Sequence, residues 1–208
     1  MELAAASGRS HLISLPQSWF SLDAVALAPK LLGHLLVHDS DEGLTVGRIV
    51  ETEAYLGTRD EASHSFRGES LRNRSMFRRG GIAYVYVIYG MHHCVNVVSG
   101  PEGVGEAVLI RALEPLAGVA LMRRRRKIKD ERALSSGPGK LCQAMGIDRS
   151  HDGLSLRDSE LRLCRGKTVT AAQIATGPRV GITKDIDHPW RFWIRDNAFV
   201  SRAPKSPR

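Results

Sequence analysis

The sequence predicts a single α+β domain in which extended segments dominate and short helices fill in around them. Three observations support this. A length of 208 residues suits one domain with a sizeable core. The stretches 35–55 and 82–98 each read as two apolar or alternating runs joined by a turn cluster, the pattern of an antiparallel hairpin. Segments with helix start and stop signals fall outside those hairpins.

Taken in order, residues 1–11 (MELAAASGRSH) are small and polar without periodicity, and a disordered N-terminal segment is expected there. They contain no positive region followed by an apolar stretch, so no secretory signal is read. The domain is expected to span 12–202. Ser21 or Asp23 can cap a short helix from Ala24 to Leu32, which Gly33 ends, with Pro29 expected to break or kink it. Leu35–His38 reads as a strand, 39–43 as a turn, and the strand opening at Thr45 carries Arg48 to Tyr55. Period-two alternation places Ile49, Glu51, Glu53 and Tyr55 on one face. Two carboxylates so close are expected to sit in unequal environments, one solvated or cation-paired and one held for use.

Residues 67–81 form a basic loop. Arg67, Arg72, Arg74, Arg78 and Arg79 are interleaved with Asn73, Met76 and Phe77, which suits a loop that tracks phosphates and also packs inward. Ile82–Met91 is the clearest strand, with Tyr84, Tyr86 and Ile88 on one face. Tyr89-Gly90 falls at the turn before the next strand, 93–98. An aromatic side chain at a hairpin tip suits a probe or wedge. Asn96 interrupts that second strand and needs specific partners if buried. Ala107–Leu113 reads as a strand with Arg111 set among apolar residues, and Glu51 and Glu53 are its expected partners.

A helix is expected from about Pro115 to Leu134, carrying Arg123–Lys127, some meeting phosphates and some solvated. Ser135–Lys140 is read as the cap of a helix from Leu141 to Met145. Its glycine-rich start beside Lys140 suits an anion, although the spacing is not that of a P-loop. Later signals are weaker: short alternating pieces at 154–156 and 161–163, and strands at 179–182 and 190–195. Residues 203–208 read as a basic tail.

Composition narrows the function classes. Hydrophobic content of 42% and charged content of 25% are ordinary for a globular chain, and no apolar run approaches membrane-spanning length. The net charge is +8, with a sequence pI near 9.8. That favours a polyanionic partner, nucleic acid first. Cys94, Cys142 and Cys164 are far apart and form no CxxC pair, so neither a zinc ribbon nor a disulfide framework is expected. The 8 histidines include the adjacent pair His92-His93 but no HExxH, and no metal or other cofactor is expected.

GRIVETEAYLG at 47–57, HS at 64–65, RNRSMF at 72–77, YVYVIYGMH at 84–92, Asn96, LIRALEP at 109–115 and SGPGKLCQAMGI at 136–147 appear in this order. With looser matches at RVGITK (179–184) and the WRFWIR run, they resemble the alkyladenine (3-methyladenine) DNA glycosylase family over most of residues 12–200. The resemblance implies one domain around a curved antiparallel sheet with surrounding helices and a protruding β-hairpin. It implies a monofunctional enzyme of base excision repair that flips alkylated or deaminated purines out of duplex DNA and hydrolyses the N-glycosidic bond.

By that resemblance Glu53 is the base that activates water, and Arg111 and the backbone carbonyl of Val180 help hold it. Tyr55, His64 and Tyr86 match the base pocket, and Asn96 the residue that crowds the exocyclic amino group of guanine. Tyr89 matches the wedge, with Met91 beside it. Arg67, Arg72, Arg74, Arg78 and Lys140 are the expected contacts to the DNA backbone. A monomer without membrane association is expected, in the cytoplasm or nucleoid of a prokaryote or the nucleus of a eukaryote. A non-catalytic nucleic-acid-binding module also explains the charge, but gives no reason for the set Glu53, His64 and Arg111. A metal hydrolase is the third reading.

Overall fold

The computed structural model describes residues 12–202. The expectations for 1–11 and 203–208 lie outside the described residues. Eight strands form one open antiparallel sheet: β1 (Leu35–Ser40), β2 (Gly43–Leu56), β3 (Ala83–Ile88), β4 (His92–Ser99), β5 (Glu106–Ala117), β6 (Leu161–Cys164), β7 (Ile174–Gly177) and β8 (Arg191–Ile194). Their order is β3-β4-β5-β2-β1-β6, with β8 joining β2 to β7. The 14-residue β2 is the spine. One edge pairs with β5 along its length, and the other is shared by β1 at residues 43–48 and β8 at residues 51–53.

Helix α1 (Ala24–Leu31) starts where Asp23 accepts a hydrogen bond from the Ala26 amide at 2.8 Å. Its apolar face, with Leu27 and Leu31, packs on Ile49, Ala54, Ile110 and Leu113 in the main core. Pro29 does not break it. The helix runs two residues further and ends at Leu31, with Leu32 as its cap. The Thr52 hydroxyl donates to the Ala28 carbonyl at 3.0 Å, fixing α1 to the face of β2 opposite Glu51 and Glu53.

The single-face alternation expected from Ile49 to Tyr55 fails at its start. Ile49 pairs with Leu113 and Glu51 with Ala112, so Val50 is an extra residue, and the register shifts again between Glu51 and Thr52. A bulge of this kind reverses which face later residues take. Ile49 therefore joins the core beneath α1, while Glu51 and Glu53 face the other way.

Three other boundaries are corrected. The strand expected to stop at Leu113 continues to Ala117. Pro115 is accommodated because the ladder shifts register beside its partner Gly47. The long helix expected from 115 to 134 is only α2, Val119–Arg126. Gly118 enters it at φ 71°, where an added Cβ would lie 2.3 Å from the Leu44 carbonyl oxygen, and Lys127 ends it at φ 55°. Residues 179–182 are not a strand but a turn around Gly181 at φ 77°. Helix α3 (Pro138–Met145) begins with Pro138 in its first turn and ends at Gly146.

Candidate active site

The face of the sheet away from α1 carries a cavity of about 490 Å³. Tyr55 of β2, Tyr84 and Tyr86 of β3, Cys94 and Asn96 of β4, and Leu109 and Arg111 of β5 point into it, because alternate residues share a face. His64 and Val180 to Lys184 come from loops, and Pro138 and Gly139 from the start of α3.

Glu53 lies directly behind this wall with no exposed surface. Tyr55 Oη donates to Oε2 at 2.9 Å, Arg111 Nη1 to Oε2 at 3.2 Å, and the Val180 amide to Oε1 at 2.7 Å. All three donors line the cavity. The neighbouring Glu51 has a different role. It accepts from Arg111 Nε at 3.0 Å, Arg191 Nε at 2.7 Å, and the amide and hydroxyl of Ser201 at 2.7 and 2.9 Å. Burial opposes the charge on Arg111, but Glu53 and Glu51 outweigh it and hold the guanidinium above its usual pKa.

The aromatic wall is kept neutral. Burial raises Tyr84 to about 12. It raises Tyr86 further, helped by Cys94, and raises Tyr55, helped by Glu53. Rings of Tyr84 and Tyr86 stack at 5.5 Å, and His64 meets Tyr86 edge-on at 4.4 Å. His64 Nδ1 shares a hydrogen bond with Tyr84 Oη at 3.0 Å. Desolvation, then Arg72, lowers the His64 pKa, which favours the uncharged ring. Asn96 is buried and donates to the Tyr84 carbonyl at 3.0 Å.

The structure thus brings Glu53, Arg111, Val180, Tyr55, His64, Tyr86 and Asn96 together. Val180 donates its amide to Glu53. Tyr89 and Met91 flank Gly90 at the β3–β4 tip, 83% and 72% exposed, and Tyr89 borders the cavity. Arg67, Arg72, Arg74, Arg78 and Lys140 are exposed, and none of them lines the cavity. Arg78 donates to the Gly153 carbonyl at 2.8 Å and Arg72 to that of Val87 at 3.4 Å. The arginines of α2 make contacts within the protein: Arg123 with Glu131, Arg124 and Arg125 with Glu42, and Arg126 with Gln143.

Sequence reading passed over Tyr84, although its alternation with Tyr86 marked the shared face. It also missed the Glu51 partners Arg191 and Ser201, and the pair Asp60–Arg179, whose members lie too far apart in the chain for spacing to reveal. Among the described residues no group of His, Cys, Asp and Glu is arranged to hold a metal ion. No helix among them is long and apolar enough to cross a membrane.

An open antiparallel sheet presenting an aromatic cavity, with a buried carboxylate held by three donors behind it and exposed arginines on the same chain, suits an enzyme that acts on nucleic acid. Residues 18–198 match the Methylpurine-DNA glycosylase (MPG) family, and the chain belongs to it. It is therefore a DNA glycosylase, a hydrolase of N-glycosyl bonds acting in DNA repair. A relative from Methanoculleus marisnigri is 51% identical over 193 residues, covering 91% of this chain and 100% of the relative. One from Prosthecochloris aestuarii is 46% identical, covering 92% of both chains, and one from Rhodopseudomonas palustris is 48% identical, covering 90% of both. Each bears the name "Putative 3-methyladenine DNA glycosylase".

Proposed function

We propose that this enzyme rotates an alkylated or deaminated purine nucleotide, 3-methyladenine among them, out of duplex DNA into the cavity. There it hydrolyses the N-glycosidic bond with a water activated by Glu53. Extrusion costs a few kcal/mol, less for a damaged or poorly paired base. Tyr89, exposed at the hairpin tip beside the cavity, suits the space the base leaves. Tyr55, Tyr86 and His64 offer flat faces, and a cationic alkylpurine gains from facing π-electrons.

The observation that carries the catalytic reading is the bonding of Glu53. A carboxylate offers about four acceptor positions. Tyr55 and Arg111 take two on Oε2, and Val180 takes one on Oε1. The remaining acceptor position is on Oε1, the oxygen that accepts from the cavity-lining Val180. Glu53 has no exposed surface, so a water reaches it when the turn at 180–181 shifts aside. As the bond from the sugar to the base lengthens, C1′ gains positive charge, which the buried carboxylate stabilises. Water oxygen bonds to C1′, its proton passes to Glu53, and the bonding pair leaves with the purine. A cationic 3-methyladenine departs neutral, whereas hypoxanthine needs a proton on its ring.

Lys184 is the lysine that lines the cavity. It is 67% exposed at the side chain and 3.8 Å from Glu61 Oε2, so the choice of water over an amine rests on Glu53 and is decided by the trapping experiment. The decisive experiment is Glu53→Gln. Binding to lesion-containing DNA is expected to persist and base release to be lost. Wild-type release by that variant in single turnover refutes the mechanism, and borohydride trapping of a covalent complex on the unaltered enzyme refutes its monofunctional character.

A further inference from the structure

Val180 reaches Glu53 from a turn, not from a strand, so something else has to hold it there. The preceding residue does so. The Arg179 guanidinium is buried and forms a forked pair with Asp60, Nη1 to Oδ2 at 2.5 Å and Nη2 to Oδ1 at 2.8 Å. Its Nη1 also donates to the carbonyl of Ala54, the residue between Glu53 and Tyr55, at 3.0 Å. Its flat face lies 4.6 Å from the Tyr55 ring centroid and 5.0 Å from that of Trp190. Asp60 is itself set by the Leu56 amide at 3.2 Å and the Ala62 amide at 3.1 Å.

One side chain therefore links the two β2 residues that follow Glu53, the 57–62 loop and the 179–181 turn. We propose that Arg179, fixed by Asp60, is a positioning residue that sets both the Val180 amide and the Tyr55 phenol on Glu53. The proposal rests on the reading of Glu53 as the water-activating base. Stability alone does not account for the arrangement, because a buried ion pair adds little over a well-packed apolar pair. A fork that bonds two carboxylate oxygens and a carbonyl while stacking on the ring of Tyr55 fixes direction as well as distance.

Lysine retains the charge but loses the fork and the flat face. Arg179→Lys is expected to lower the single-turnover rate constant for base release by about 10- to 100-fold, the scale on which small misplacements act. The amplitude should stay full, and affinity for lesion DNA should change far less than the rate. A residue that only supports the fold would instead lower the amplitude, through the folded fraction, and leave the rate constant unchanged. That result overturns the proposal. If Arg179→Lys does not fold, Asp60→Asn with Arg179→Met removes the two charges together and is judged by the same criteria. Failure of both to fold assigns the pair to stability and also overturns it. Glu53→Gln measured in parallel separates the two claims. Normal release by Glu53→Gln removes the base reading itself, whereas an inert Glu53→Gln beside an unslowed Arg179→Lys removes only the positioning role.

Discussion

Glu51 and Glu53 share one guanidinium: Arg111 donates through Nε to the first at 3.0 Å and through Nη1 to the second at 3.2 Å. The two carboxylates differ in their other partners. Glu51 is saturated by Arg191 and Ser201, whereas the donors on Glu53 belong to the cavity wall. Glu51 thus anchors Arg111, and Arg111 aims Glu53. Glu51→Ala leaves two buried guanidinium groups without their carboxylate and is expected to lose about 3–5 kcal/mol of stability. Urea denaturation measures this. Base release should fall as well, with Glu53 still in place.

Tyr89 has φ 53° and an 83% exposed side chain, so the fold gains little from it. Tyr89→Ser should leave stability within about 0.5 kcal/mol of the parent. Removing a filler for the emptied stack exposes part of the few kcal/mol that extrusion costs, and about 1.4 kcal/mol is tenfold. Lesion release at subsaturating DNA should therefore fall by about tenfold. Unchanged melting together with unchanged release would show that the tip does not enter the duplex.

Salt dependence distinguishes arginines that meet phosphate from those that brace the fold. Arg74 is exposed in the basic 67–81 segment, while Arg123 pairs with Glu131 at 2.8 Å. Arg74→Ala should reduce the slope of log affinity against log salt by about 0.9, one phosphate contact. Arg123→Ala should leave that slope unchanged. Equal effects from both would put the arginines of α2 on DNA.

Acid should weaken the fold through its histidines. Burial lowers the pKa of His34, His38 and His64 below the ordinary 6.5, with Arg165, His151 with Arg125, and Arg72 adding to it in turn. The Met145 carbonyl, at 2.7 Å from Nδ1, partly opposes the shift at His38. Between those lowered values and 6.5 the unfolded chain binds protons that the folded chain does not. Stability is therefore full above pH 6.5 and declines as pH falls through the window. The melting midpoint should drop between pH 7.5 and 5.5, and His38→Gln should flatten that drop. A midpoint equal at both pH values contradicts the assignment.

Much of this was legible in the residues. Alternation from Ile82 to Val98 marked β3, β4 and the exposed Tyr89 tip, and an arginine among apolar residues at 111 called for the carboxylates at 51 and 53. What alternation cannot report is a change of phase. The extra residue at Val50 depends on pairing with β5, and it put Ile49 on the other face. Pro115 looked like a helix start because its tolerance inside β5 depends on a register shift at Gly47. The 179–182 segment had the apolar content of a strand, but Asp60 captured Arg179 from across the fold, and no local rule predicts that contact.

The bond from Ser201 to Glu51 also bears on how this enzyme is made. Glu51 accepts two hydrogen bonds from a residue 150 positions downstream. A ribosome has therefore to deliver nearly the whole described chain before that carboxylate is fully satisfied. A nascent polypeptide can assemble its hairpins early, yet the carboxylate that anchors Arg111 is fully satisfied only when the segment carrying Ser201 docks.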